Sequence, residues 1–181
     1  MSRVRTLTLV AVSAAALGLA GCSSSSSSPT TTTSAAPSTH ATSDPPATIP
    51  ASDRSAAGTA GTAPIVTVPS GPPPTALETA DLITGSGPAA KAGDSVTVQY
   101  VLATYSSGKT IQSSWTSQPF TFTLGAGQVI PGWDKGVAGM QAGGRRELII
   151  PPSLGYGAQS PGAGISANDT LVFVVDLLKI N

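Results

Sequence analysis

Charge is scarce in this chain. Asp, Glu, Lys and Arg make up 10% of 181 residues, and the nine basic and nine acidic side chains cancel. Affinity for phosphate needs clustered Lys and Arg, and none cluster here, which argues against nucleic acid as a partner. A single cysteine, Cys22, rules out an internal disulfide. A single histidine, His40, sits in a polar tract and leaves no His/Cys metal set and no Ser-His-Asp triad. Aromatic residues are only 4% of the chain, and they fall after position 99, whereas the first third is Ser, Thr, Ala and Pro. One hydrophobic core is therefore expected, held by roughly 105 to 120 C-terminal residues, an ordinary size for one domain.

The N-terminus carries an address. Arg3 and Arg5 precede Leu7–Ala20, an apolar, Ala-rich run shorter than the about 20 residues a bilayer span requires. The run closes on Leu19-Ala20-Gly21-Cys22. An ordinary cleavage site with a chance cysteine after it is one reading. The other is that the stretch resembles the lipobox of bacterial lipoproteins, where small residues precede a cysteine that is lipidated and becomes the mature N-terminus. The two acyl chains of a diacylglycerol suffice for stable anchoring. Residues 1–21 are then a lipoprotein signal peptide, Cys22 the lipidation site, and the membrane a partner through the lipid anchor, with the protein facing the extracytoplasmic envelope. Residues 22–62 are low complexity, with too few apolar side chains to offset backbone entropy, and read as a disordered tether. The domain is set at 63–181, with its core from about 76, and Ile65, Val66 and Val68 in an extended lead-in lying on it.

Within the domain the organising stretch is Val129–Met140. Pro131-Gly132 breaks the preceding segment, and Trp133, Val137 and Met140 then fall at i, i+4 and i+7 of a helix. Asp134 suits the positive end of the helix dipole, and Gly143-Gly144 is expected to end the helix. A helix of barely two turns with Gly136 and Gly139 inside it cannot stand alone in water, so a sheet must cover Trp133. Period-two or bounded apolar runs place strands at Leu77–Ile83, Val96–Ala103, Thr110–Ser113, Phe120–Leu124, Arg146–Ile150 and Leu171–Leu177. The last is apolar on both faces and is expected to be central. The fold class is α+β: a single antiparallel sheet of about five strands wrapped around one short helix. Tyr100, Phe120, Trp133, Tyr156 and Phe173 converge on that helix from separate segments. Such an aromatic cup fits a ligand pocket and a packed core equally.

Three motifs carry more information together than any does alone. Val129-Ile130-Pro131-Gly132-Trp133, Gly155-Tyr156-Gly157-Ala158 and Asn168–Phe173, in this order and spacing, closely resemble the FKBP-type peptidyl-prolyl cis-trans isomerases. Ser113-Ser114 before Pro119-Phe120 matches as well, and the resemblance runs from Tyr100 to Leu178. It implies an FKBP-like fold and an isomerase of X-Pro bonds. The resemblance also implies a pocket lined by Tyr100, Ile111, Phe120, Val129, Ile130, Trp133, Tyr156 and Phe173. Trp133 would be the floor under the proline ring, and the Ile130 N–H and Tyr156 hydroxyl would hold substrate carbonyls. Proline-containing exported polypeptides would be the substrates, and macrolides such as tacrolimus and rapamycin the ligands. The reaction implied needs no cofactor, metal or nucleophile.

One departure stands out. Where the family commonly has Phe followed by Asp, this chain has Ile111-Gln112. Ile keeps an apolar wall with less area, and Gln replaces a carboxylate by a neutral amide that both donates and accepts. Ordinary variation at a tolerant rim is one reading, and reduced catalysis or altered substrate choice is the other. A weakly active proline-segment binding module of the envelope is the alternative function that this departure favours.

Overall fold

A computed structural model describes residues 46–181, and the expected signal peptide, Cys22 and tether residues up to 45 lie outside them. Among these residues seven strands form one sheet: β1 (Ala47–Thr48), β2 (Glu78–Ile83), β3 (Ser95–Thr104), β4 (Thr110–Ser113), β5 (Phe120–Thr123), β6 (Arg145–Ile150) and β7 (Leu171–Ile180). Their order is β1-β2-β6-β7-β3-β4, with β5 also paired to β3. β7 is central, as its two apolar faces require. The sheet is mixed rather than wholly antiparallel, because β1 runs parallel to β2.

The helix α1 (Pro131–Gly136) is shorter than its apolar stripe implies. It ends at Gly136 rather than at Gly143-Gly144, and Val137 and Met140 reach the core from the turn beyond it. Its glycines decide where it lies. A Cβ on Gly132 would overlap the Ile150 side chain, and one on Gly136 would come 2.7 Å from Leu148 Cδ2. Only a helix without side chains on that face approaches β6 so closely. Both ends are tied by charged side chains. Asp134 accepts the Gly125 and Gly127 N–H groups at 2.8 and 3.1 Å. Arg146 donates to the carbonyls of Gly136 and Ala138 at 2.9 and 3.0 Å while paired with Asp81. Cations at a helix C-terminus and anions at its start both oppose the helix dipole.

The opposite face of the sheet holds the main correction. The expected tether runs to residue 62, yet residues 46–62 lie against the domain. Ile49 is fully buried beside Ala80, Ile149 and Val172, and Val66 and Val68 pack on the same cluster, whereas Ile65 points outward. The cause lies in β6. Leu148 and Ile150 join the core around α1, while Ile149 joins the outer cluster, as strand alternation demands. Arg145 and Glu147 are buried too and need partners. Arg145 pairs with Asp176 at 2.6 Å and donates to the Ala57 and Thr62 carbonyls, both at 2.7 Å. Glu147 accepts the Ser55 N–H at 2.8 Å and the Ser55 hydroxyl at 2.6 Å. Polar composition hid a strap that the domain's own buried charges hold.

Two outcomes follow for stability. Ile49→Ala is expected to cost about 2 to 5 kcal/mol, measured by urea unfolding; a loss under about 0.5 kcal/mol would mean that the strap is not part of the cooperative unit. Burial raises the Glu147 pKa above its ordinary 4.5, against the lowering by the Ser55 hydrogen bonds and nearby Arg54. A raised carboxyl contributes its stability in full below the unfolded value and loses it as pH climbs through the folded value. Glu147→Gln keeps an acceptor for the Ser55 N–H, so its stability relative to wild type is expected to grow from about pH 4 to pH 7. A difference that stays constant over that range would contradict this.

Candidate functional site

A cavity of about 430 Å³ opens beside α1. Tyr100 reaches it from β3, Gln112 from β4, Phe120 from β5 and Phe173 from β7. Gln128, Val129 and Ile130 bound it from the loop ahead of α1, Trp133 from α1 itself, and Tyr156 from the loop after β6. None of these side chains carries a formal charge, so the cavity offers apolar surface, hydroxyls and amides rather than an ionised acid or base.

Trp133 is 4% exposed, and neighbouring rings fix its orientation. Tyr100 and Phe173 meet it edge-on, with centroids 5.3 and 5.2 Å away and planes at 82° and 83°. Such T-shaped pairs suit the quadrupoles of the rings. The indole Nε1 is buried with no acceptor among the described residues. Tyr100 is fixed through its backbone: its N–H donates to the Ser114 hydroxyl at 2.8 Å, and its carbonyl accepts the Ser114 N–H at 3.0 Å. This gives the Ser113-Ser114 motif its structural work. Burial, and secondarily the neighbouring Tyr156, push the Tyr100 hydroxyl's pKa above 10.0, so it remains a neutral donor at physiological pH.

Ile130 caps α1 in an extended conformation, φ −59° and ψ 146°, because Pro131 follows it. Its carbonyl accepts the Trp133 N–H at 2.9 Å, while its own N–H meets no acceptor among the described residues. Tyr156 stands at the rim, 38% exposed, in a turn that Gly157 closes with φ +58°. The Gly157 N–H donates to the Pro152 carbonyl at 2.9 Å, and its carbonyl accepts the Asn168 N–H at 2.7 Å. Asp169 anchors the base of that loop on Ser106, accepting from its hydroxyl at 2.6 Å and its N–H at 3.2 Å.

Two positions depart from the sequence reading. Ile111 does not bound the cavity. Leu102 pairs with Gln112 and Ala103 with Thr110, so Ile111 falls at a bulge in β4. Bulges re-aim side chains, and Ile111 packs against the core with its Cγ2 near Gly164. Gln128 was missed by sequence reasoning. Its one visible signal is a polar residue immediately before the apolar Val129-Ile130.

Comparison with known proteins agrees with this geometry. Residues 87–178 match the family model of the FKBP-type peptidyl-prolyl cis-trans isomerases. An FK506-binding protein of Streptomyces anulatus is 50% identical over 119 residues, covering 65% of this chain and 96% of that protein. An FK506-binding protein of Neisseria meningitidis is 46% identical over 100 residues, covering 55% of this chain and 92% of that protein. Among solved structures, FkpA from Escherichia coli superposes with a TM-score of 0.54 at 39% identity, over 59% of this chain and 49% of that one. With half the chain inside the family model and a half-identical relative matched nearly end to end, the chain belongs to the FKBP-type peptidyl-prolyl cis-trans isomerases and is an enzyme of that type.

Proposed function

We propose that this enzyme isomerises X-Pro bonds of exported proteins while anchored to the membrane through Cys22, with the Trp133 cavity as its active site. The observation that carries the site assignment is a buried indole at the base of an uncharged cavity, with the Ile130 N–H unclaimed by any described acceptor beside it. Rotation about the amide faces a barrier of about 20 kcal/mol and takes tens of seconds or longer unaided. No bond to carbon forms or breaks. The planar amide is more polar than the twisted one, so an apolar, water-excluding wall disfavours the ground state relative to the transition state. Tyr100, Phe120, Val129 and Phe173 supply that wall, and Trp133 carries the proline ring. The Ile130 N–H and Tyr156 hydroxyl hold carbonyls on either side while the proline end turns. Gln112 stands at the rim where the family commonly has a carboxylate. The names of the Streptomyces and Neisseria relatives support FK506 (tacrolimus) as a ligand of the same cavity.

The lipobox supports the anchor. With the strap docked from residue 46, the segment from Cys22 to Pro46 reaches at most about 85 Å from lipid, which keeps the domain near the membrane surface.

In a protease-free NMR exchange assay on an X-Pro peptide, the wild type is expected to catalyse exchange, and tacrolimus to inhibit competitively and raise Tm by mass action. Tyr156→Phe is expected to lower kcat/KM about five- to tenfold, the size of one hydrogen bond. Catalysis untouched by saturating tacrolimus, or a Tyr156→Phe variant as fast as wild type, would overturn the assignment. For the anchor, Cys22→Ala is expected to move the protein out of the membrane fraction; equal partitioning of variant and wild type would refute it.

A further inference from the structure

We propose that the side-chain amide of Gln128 is a substrate-holding donor, its Nε2 hydrogens gripping a main-chain carbonyl oxygen of the polypeptide beside the bound proline. This rests on the reading of the cavity as the isomerase site. The two ends of a glutamine amide are ordinarily hard to tell apart. Here a neighbour settles them. The Thr123 N–H donates to Gln128 Oε1 at 2.8 Å, and a backbone N–H can only donate. Oxygen therefore faces β5, and the NH₂ end is the one left over, with no acceptor among the described residues. Gln128 bounds the cavity and precedes Ile130, whose N–H faces the same lack of an acceptor, by two positions along one wall.

The chemistry of that pair selects the ligand atom. Both groups donate, and the bounding side chains include no carboxylate to compete for them. An extended polypeptide offers one acceptor at every residue whatever its sequence, the main-chain carbonyl. Gln128 therefore holds clients without reading their side chains. Because its oxygen is pinned by Thr123, the amide loses less freedom on binding than a mobile glutamine would.

The test uses the full chain, the NMR exchange assay and a blocked, uncharged Leu-Pro peptide. Gln128→Glu keeps an acceptor for the Thr123 N–H, so the loop geometry is retained, but it replaces the donor by a carboxylate that repels a carbonyl oxygen. At pH 7, kcat/KM is expected to fall about tenfold, about 1.4 kcal/mol, chiefly through KM. As pH falls through about 4.3, where a glutamate side chain protonates, the carboxyl regains an O–H donor and the loss is expected to shrink. The wild type is expected to show no such change. Gln128→Met is expected to lose activity with no pH-dependent recovery. Wild-type kcat/KM for Gln128→Glu at pH 7 overturns the proposal, and so does a loss of the same size at both pH values, which marks a purely structural role. An inactive wild type sinks the site reading itself, and this proposal with it.

Discussion

Everything at the proposed active site depends on how closely a six-residue helix can lie against a sheet. Trp133 reaches the cavity floor only because Gly132 and Gly136 present no Cβ to Ile150 and Leu148. Glycine inside a helix costs about 1 kcal/mol relative to alanine, and a helix this short is unstable alone. Packing must offset both. The indole does so by meeting Tyr100, Phe122 and Phe173 at centroid distances of 5.2 to 5.6 Å. The same residue that forms the floor thus holds the helix that presents it. Asp134 then ties the preceding loop to the first turn, which sets Gln128, Val129 and Ile130 along one wall.

The two faces of β6 divide the molecule's labour. Leu148 and Ile150 build the aromatic side, and Arg145, Glu147 and Ile149 build the side the strap covers. Val66 and Val68 were legible as an extended lead-in on the domain, but the strap ahead of them was not, because Ile49 is isolated in Ser, Thr, Ala and Pro with no period. The evidence for it lay instead in β6. A strand whose alternate positions read Arg, Glu and Ile beside a central strand that is apolar on both faces cannot leave that side to water. Its charges either pair within the sheet, as Arg145 does with Asp176, or recruit a segment from elsewhere, as Glu147 recruits Ser55.

The aromatic positions were legible for a physical reason. Tyr100, Phe120 and Phe173 sit on strands where period two fixes the face, and Trp133 sits on a stripe with Val137 and Met140. Tyr156 lies in a loop, where no period operates, and only its Gly-Tyr-Gly-Ala setting placed it. Ile111 was placed in the pocket by resemblance alone, and the bulge at that residue leaves no alternation by which to check it. Gln128 escaped because a side-chain hydrogen bond to Thr123, five residues earlier at the end of β5, leaves no periodic pattern.

The placement of charge fits the chemistry proposed for the cavity. Arg146 pairs with Asp81, Asp134 faces the loop amides, and Arg145, Asp176 and Glu147 lie under the strap; none of them bounds the cavity. An ionised group beside the reacting amide would interact more strongly with its planar, polar form than with its twisted, less polar one, and so would stabilise the wrong state. A neutral cavity avoids that. The same argument makes the Gln112 substitution less costly than the loss of a carboxylate suggests. The amide keeps a hydrogen-bonding atom at the rim without adding a field across the bond that turns. What such a cavity still requires is a grip on the chain on either side of the bond that turns, and that is the role proposed for its neutral donors to main-chain carbonyls.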